Sequence, residues 1–280
     1  MNQAVNGTVN WDPLGNPSAV VAALRHLTQQ VGSRLIQDFG QIHTTEKQDG
    51  SLVTAADQWA DDTLRQHLTG AFPGWGLLTE EGSQQFPGDE WCWVIDPLDG
   101  TTNFAHGIPI WGISIALLHQ GSPVIGVVDF PMLGQFFHGW MTPQHQGAWL
   151  NDQPLQPSSA PSGKNELFSF CSRSIVRMAP GADFPAKIRM VGVATYNLLA
   201  VGAGIMIGGI EATPKVWDIA AIWVILHAAG CTWKEWGSQP FFPLVPQADY
   251  SRLSHPVLVT SYPALVDTFS PFLPHDWLSR

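Results

Sequence analysis

The sequence predicts a layered α/β or α+β protein whose sheets are covered by helices. Three observations carry this expectation. Helix-period and strand-period apolar patterns alternate along the chain. No repeat of about 20–50 residues organises them. Apolar residues make up 45% of the 280 positions against 13% charged, the balance of an ordered globular chain. The length suffices for one large domain or two closely joined ones with a substantial core.

Residues 1–17 read as a flexible N-terminal arm. From Ser18, read as an N-cap, apolar residues recur at Val20, Leu24, Leu27, Val31 and Leu35, the stripe of an amphipathic helix. A second helix is expected from Ala55 to Leu68, with Thr54 or Asp57 near its start. Strands follow at Gly76–Thr79, Trp91–Ile95, Gly112–His119, Pro123–Phe130, Phe136–Met141 and Gly147–Leu150, separated by turn signals such as Gln120-Gly121-Ser122 and Met132-Leu133-Gly134.

From Asn151 to Lys164 the composition shifts to Pro, Ser, Gln and Asn, which marks a joint between an 18–150 lobe and a 151–280 lobe. The second lobe alternates again. Strands are expected at Leu167–Cys171, Lys187–Val191 and Ile205–Glu211, and helices at Ala194–Val201 and Ile219–Ala229, the last ended by Gly230.

The net charge of −10, with no run of lysines and arginines, argues against a nucleic acid polymer or an anionic membrane as partner. The longest apolar stretch, Leu198–Ile210, holds four glycines and is too short to cross a bilayer. Met1 to Asn16 lacks a basic-then-apolar leader pattern. Cys92, Cys171 and Cys231 are far apart and read as reduced, buried thiols. The expectation is a soluble cytoplasmic protein. Thirteen tryptophans suggest large aromatic buried areas, a subunit interface among them.

The chemistry lies in a few carboxylates beside apolar strand residues. Trp91-Cys92-Trp93-Val94-Ile95 runs directly into Asp96 and Asp99, spaced by Pro97 and Leu98 and followed by Gly100-Thr101-Thr102. Such a turn can hold both acids toward one point and present backbone N–H groups to an anion. Asp96 and Asp99 suit hard divalent cations, which prefer oxygen ligands. Glu80, at the end of Gly76-Leu77-Leu78-Thr79, could reach the same cation, whereas Glu81 is peripheral. Asp57 sits at a helix start, where its ordinary role is to complement the helix dipole. Asp218 opens the strongest helix of the second lobe as an N-cap acid, a position that also lets it close a metal site from the opposite side. Lys47 and Lys215 are the basic residues nearest these motifs and neither is placed as a phosphate clamp, so cations would have to neutralise an anionic substrate.

At this point the chain resembles the inositol monophosphatase family, within the lithium-sensitive phosphatase and fructose-bisphosphatase superfamily. L-V-T-A-A-D at 52–57, T-E-E-G at 79–82, W-V-I-D-P-L-D-G-T-T-N-F at 93–104 and W-D-I-A-A at 217–221 carry the resemblance, in matching order and separation over residues 18–270. It implies a five-layer αβαβα sandwich, a homodimer, two or three Mg2+ per active site and inhibition by lithium. Glu80, Asp96 and the Leu98 carbonyl resemble the first metal site; Asp96, Asp99 and Asp218 resemble the second. Asp57 and Thr101 resemble the pair that orients the attacking water, with Glu80 beside a third, weaker metal. Gly100 and Thr101 resemble the phosphate-contacting turn, and Glu211 and Ala194 the substrate contacts. The implied reaction is in-line attack of activated water on a phosphomonoester.

The chain departs from the family pattern on the substrate side. Gly192-Val193-Ala194-Thr195 replaces a G-S-A-A-type turn, and Ile205 to Ile210 lacks the acid and aromatic that usually precede the hydroxyl-binding acid, here Glu211. A more apolar pocket wall is therefore expected. Lys47 only approximates the lysine ahead of L-V-T and takes no role. The stretch from Ser172 to Pro185 is short for a full helix, so the pocket is expected to be more open. A small phosphorylated polyol or sugar is the expected substrate, with inositol 1-phosphate the family default. Fructose 1,6-bisphosphate, histidinol phosphate and 3′-phosphoadenosine 5′-phosphate are the alternatives, and no basic pocket for a second phosphate is evident. A metal-binding regulatory homologue would be the non-enzyme alternative, and a two-metal nuclease would need a basic track that the charge balance does not supply.

Overall fold

The computed structural model describes residues 16–41, 44–46, 52–143, 145–177, 183–236 and 240–273. The expected arm at 1–17 therefore lies almost wholly outside the described residues, as does Lys47. The chain opens with α1 (Pro17–Asp38), followed by β1 (Thr44–Glu46), β2 (Leu52–Thr54) and α2 (Ala55–Ala71). A seven-stranded sheet follows, from β3 (Gly76–Thr79), β4 (Trp91–Asp99), β5 (Gly112–His119), β6 (Ser122–Phe130), β7 (Gln135–Met141), β8 (Gln146–Leu150) and β9 (Gln153–Pro154), in that spatial order. The short helix α3 (Thr101–Ala105) sits between β4 and β5.

The second half contributes β10 (Leu167–Phe170), α4 (Ser172–Ile175), β11 (Lys187–Arg189), α5 (Ala194–Gly202), β12 (Gly208–Glu211), α6 (Val216–Ala228), β13 (Thr232–Glu235), β14 (Val257–Thr260) and α7 (Ala264–Phe269). Its five strands order as β11-β10-β12-β14-β13.

Strand alternation dictates how these parts stack. Along β4 and β5, Trp93, Ile95, Ile113 and Ile115 point to the face covered by α1 and α2. Their neighbours Val94, Ala116 and Leu118 point the other way, onto Leu198 of α5 and Ile222 and Ile225 of α6. In β14, Val257 and Val259 meet that same helical layer, whereas Leu258 joins Phe168 and Phe170 against Leu265 and Phe269 of α7. The result is helix, sheet, helix, sheet, helix. This is the expected five-layer sandwich, with α6 apolar around its circumference because both of its flanks are sheet.

Several boundaries differ from the sequence expectation for physical reasons. Asn16 caps α1, its Oδ1 accepting from Ser18 N at 3.0 Å, because Pro17 has no N–H to donate and takes the first helical position. The strand expected from Ile205 starts only at Gly208. Ile205 and Met206 N–H groups both donate to the Ala200 carbonyl and so close α5. Asp218 is the third residue of α6, not its N-cap; Lys215 occupies the cap, and its N–H donates to Asp218 Oδ2 at 2.7 Å.

The packing of α6 on the first sheet depends on one missing side chain. A Cβ built on Gly126 in β6 would lie 2.2 Å from the Ala221 carbonyl oxygen of α6. Gly126→Ala should therefore destabilise the protein by about 1–3 kcal/mol or more. Urea unfolding checks this; an unchanged midpoint would show that α6 does not need so close an approach.

Candidate active site

A cavity of about 550 Å³ opens where β4, α3, α5, β12 and the start of α6 converge. Its size suits a small molecule. The local reason that β4 can serve it lies in Pro97. In a regular strand, residues three apart point to opposite faces. Here Asp96 stands opposite Ser114 and Asp99 opposite Gly112, so β4 carries one extra residue across that interval. The bulge turns both carboxylates to the same side.

Asp96, Asp99 and Asp218 come together there, each offering a carboxylate oxygen within 4.8 Å of the others. Asp96 and Asp99 are buried. Burial, reinforced by the charges of Glu80, Asp99 and Asp218, drives the Asp96 carboxyl well above its ordinary range. Asp218 is raised well above its own range by burial and by Asp99 and Glu80. Asp99 is raised by burial despite donors from Thr195, whose N–H reaches Asp99 Oδ2 at 2.8 Å and whose hydroxyl also donates to it. Leu98 N–H donates to Asp96 Oδ1 at 3.0 Å.

This donor set fits a hard divalent cation. Crowded buried carboxylates repel one another in a low-dielectric site unless protons or cations intervene. Oxygen-only ligands from Asp96, Asp99 and Asp218, with Glu80 alongside and lining the same cavity, are the type that Mg2+ takes.

Asp57 does not line the cavity; it stands behind Thr101. Thr101 Oγ1 lies 2.8 Å from Asp57 Oδ1 and 3.1 Å from the Leu98 carbonyl oxygen. One hydroxyl proton serves one strong acceptor, and the carboxylate is the stronger. Asp57 Oδ2 is held by Thr54, whose N–H donates at 2.8 Å, in a capping box at the start of α2. The dipole-complementing position and the link to Thr101 are thus compatible. Gly100, at φ 94°, lies in the left-handed region, and a Cβ there would meet Val193 Cγ2 at 2.7 Å. The turn can therefore follow β4 only with glycine at this position.

Glu211 and Ala194 also line the cavity, and the Ala194 backbone N–H donates to the Asp99 carboxylate. Burial pushes Glu211 up to about 7. Asn197 Nδ2 donates to Glu211 Oε1 at 2.5 Å, and Cys171, half-buried and not sealed in the core, faces the same acid. None of Ile205 to Ile210 lines the cavity; beside Glu211 its lining mixes Cys171, Asn197, Arg173 and Thr213 with apolar Met190, Val191, Val193 and Pro214. Lys215, on the metal side, points away, its Nζ donating to the Ser251 carbonyl at 2.7 Å.

Sequence reasoning missed Thr195, Asn197 and Arg173. Thr195 stands 96 positions after the aspartate it holds, and no spacing rule joins them. Arg173 left a weak signal: five of the thirteen basic residues fall between Lys164 and Arg189.

A model of the inositol monophosphatase family matches residues 16–263. The chain is 32% identical to an inositol-1-monophosphatase of Mesorhizobium japonicum, covering 76% of this chain and 84% of that one. It is 29% identical to a histidinol-phosphatase of Chlorobaculum parvum, over 73% and 81% of the two chains. It is 31% identical to a fructose-1,6-bisphosphatase/inositol-1-monophosphatase of Thermotoga maritima, over 73% and 80%. Among solved structures, an IMPase of Thermotoga maritima superposes with a TM-score of 0.75 at 26% identity, covering 89% of this chain and 94% of that one.

Proposed function

The chain belongs to the inositol monophosphatase family, and from that premise we propose that it is a magnesium-dependent phosphoric monoester hydrolase acting on small phosphorylated polyols or sugars. The observation that carries this reading is the cluster of buried Asp96 and Asp99 with half-buried Asp218, facing a small-molecule cavity. Glu80, Asp96 and the Leu98 carbonyl would hold one Mg2+, and Asp96, Asp99 and Asp218 a second; Glu80 would also border a third. When bound, these cations neutralise phosphate oxygens, acidify the attacking water and stabilise the departing alkoxide.

The chain's own groups do the rest. The Thr101 hydroxyl donates to Asp57 Oδ1 and so turns an oxygen lone pair toward the cavity, where it accepts from the attacking water. Asp57 takes up the proton passed along that bond, while Thr54 keeps its carboxylate from rotating. The backbone N–H groups of Gly100 and Thr101 orient the phosphate. Glu211 accepts from substrate hydroxyls, steadied by Asn197, and the Ala194 backbone borders the same subsite. The boundary at 151–164 separates a lobe at 18–150 that holds most of the metal ligands from a lobe at 151–280 that completes the site. The protein works as a homodimer in the cytoplasm, and lithium inhibits it.

Inositol 1-phosphate is the expected substrate. A panel of inositol 1-phosphate, fructose 1,6-bisphosphate, histidinol phosphate and 3′-phosphoadenosine 5′-phosphate, each with and without Mg2+, tests this. Magnesium-dependent release from inositol 1-phosphate is the expected result. Release from the nucleotide alone would replace the substrate and keep the reaction. No release from any ester would favour a metal-binding regulatory protein.

A further inference from the structure

We propose that the protein carries a second binding site, at the end of α6 away from the aspartate cluster: an aromatic cage for a small organic ammonium cation.

A cavity of about 270 Å³ opens there, lined by Trp223, His227, Trp233, Glu235, Pro240 and Phe242. It shares no lining residue with the aspartate cavity. Its volume falls below the usual range for drug-sized ligands, so it suits a compact one. His227 stands about 13 Å along α6 from Asp218, at 1.5 Å of rise per residue.

The wall is a chain of touching rings. Trp223 and His227 sit one turn apart on α6, with ring centroids 4.1 Å apart. Trp233 of β13 meets His227 at 5.8 Å, and Phe242 meets Trp223 at 5.6 Å. Trp223, His227 and Trp233 are only half-buried, so part of their ring surface remains open. Aromatic faces attract cations through the ring quadrupole, tryptophan most strongly.

The charges around these rings favour the same ligand. Glu235 is locked among them, its Oε1 accepting from Trp233 Nε1–H at 2.8 Å and its Oε2 from Phe241 N–H at 2.9 Å. Each oxygen keeps a second lone pair for a ligand. Donation to a carboxylate also leaves the indole richer in electrons and a better partner for a cation. The cavity lies beside the last turns of α6, at the negative end of the helix dipole.

His227 is the basic residue of that last turn, and it does not supply the missing charge. Its Nδ1 lies 2.7 Å from the Trp223 carbonyl, which can only accept, so Nδ1 carries the proton and Nε2 presents a lone pair. Burial pulls its pKa below the ordinary histidine value, which leaves the ring neutral at pH 7. Lys234 stands on the other face of β13, its Nζ 5.8 Å over the Trp236 ring. Among the described residues no lysine or arginine lines the cavity. An anion would therefore meet a carboxylate and a helix C-terminus, and a neutral molecule would leave both uncompensated.

Choline and its neutral isostere 3,3-dimethyl-1-butanol have the same shape and differ in charge, so saturation-transfer NMR titrations of the full chain with each test the cage. The parent should bind choline at least about 10-fold more tightly than the isostere. Glu235→Gln keeps the side-chain shape and should weaken choline about 10-fold while leaving the isostere unchanged. Trp233→Leu should weaken choline by about the same factor. Circular dichroism of both variants checks that the fold is kept. Equal binding of the two probes by the parent, or no binding of choline, overturns the proposal whatever the variants do. Choline binding that neither substitution weakens puts the cation elsewhere on this acidic chain and overturns it too.

Discussion

Asp96→Asn should lower magnesium-dependent phosphate release by at least about 10³-fold, a barrier increase of about 4 kcal/mol. Asp96 belongs to both proposed metal sites, so its neutralisation weakens two cations at once. The substitution keeps the shape of the side chain. Asn Oδ1 can still accept from Leu98 N–H, which the carboxylate does at 3.0 Å, and the amide can donate to Asp218. Loss of activity would then report lost charge and not a collapsed turn. The same variant has an opposite effect on stability. In the metal-free protein Asp96 is buried beside Glu80, Asp99 and Asp218, and its ionised form is disfavoured by all of them. Removing the charge should therefore stabilise the metal-free fold by on the order of 1 kcal/mol or more. Kinetics with Mg2+ and urea unfolding in EDTA measure the two halves. Hydrolysis near the parent rate would sink the metal assignment.

The second large effect is the response of the parent to Mg2+ itself. A cation that binds the folded carboxylate cluster and not the unfolded chain stabilises by mass action, about 2.7 kcal/mol at a hundred times its Kd. For a chain of this size the expected rise in Tm is about 5 °C. Asp96→Asn and Asp218→Asn should abolish most of that rise. Glu211→Gln should keep it, since Glu211 lies outside the three-aspartate cluster. Differential scanning fluorimetry with a Mg2+ titration decides. A parent Tm indifferent to Mg2+ would mean that the clustered aspartates are satisfied by protons alone. That result would contradict the proposed cofactor without touching the fold.

Much of this was legible in the sequence because it was local. The stripe Val20, Leu24, Leu27, Val31 and Leu35 is buried on α1 as its spacing requires. Trp91 to Ile95 is a fully buried strand running into the acidic turn, and the Thr54–Asp57 pair forms the helix start expected there. The bulge between Asp96 and Asp99 shows only in the pairing of β4 with β5. The short strands β13 and β14 were missed, since four-residue strands whose partners lie far away leave little periodicity of their own.

The polar groups beside Glu211 lay beyond sequence reasoning for a related reason: Cys171, Arg173 and Asn197 come from other elements, and they mix there with apolar Met190, Val193 and Pro214.

By itself, the sequence determined the layered fold and the acids that could carry the chemistry, because helix and strand periods and the D-P-L-D-G turn act over a few residues. Only the tertiary structure decided what those acids share. It brings Asp218 to within 4.8 Å of Asp96 and Asp99, sets Asp57 behind Thr101, and puts Glu211 and Arg173 on the lining of the same cavity. The reason is geometric: α6 rests on Gly126, where a single Cβ would push it away, and that contact joins residues almost a hundred positions apart.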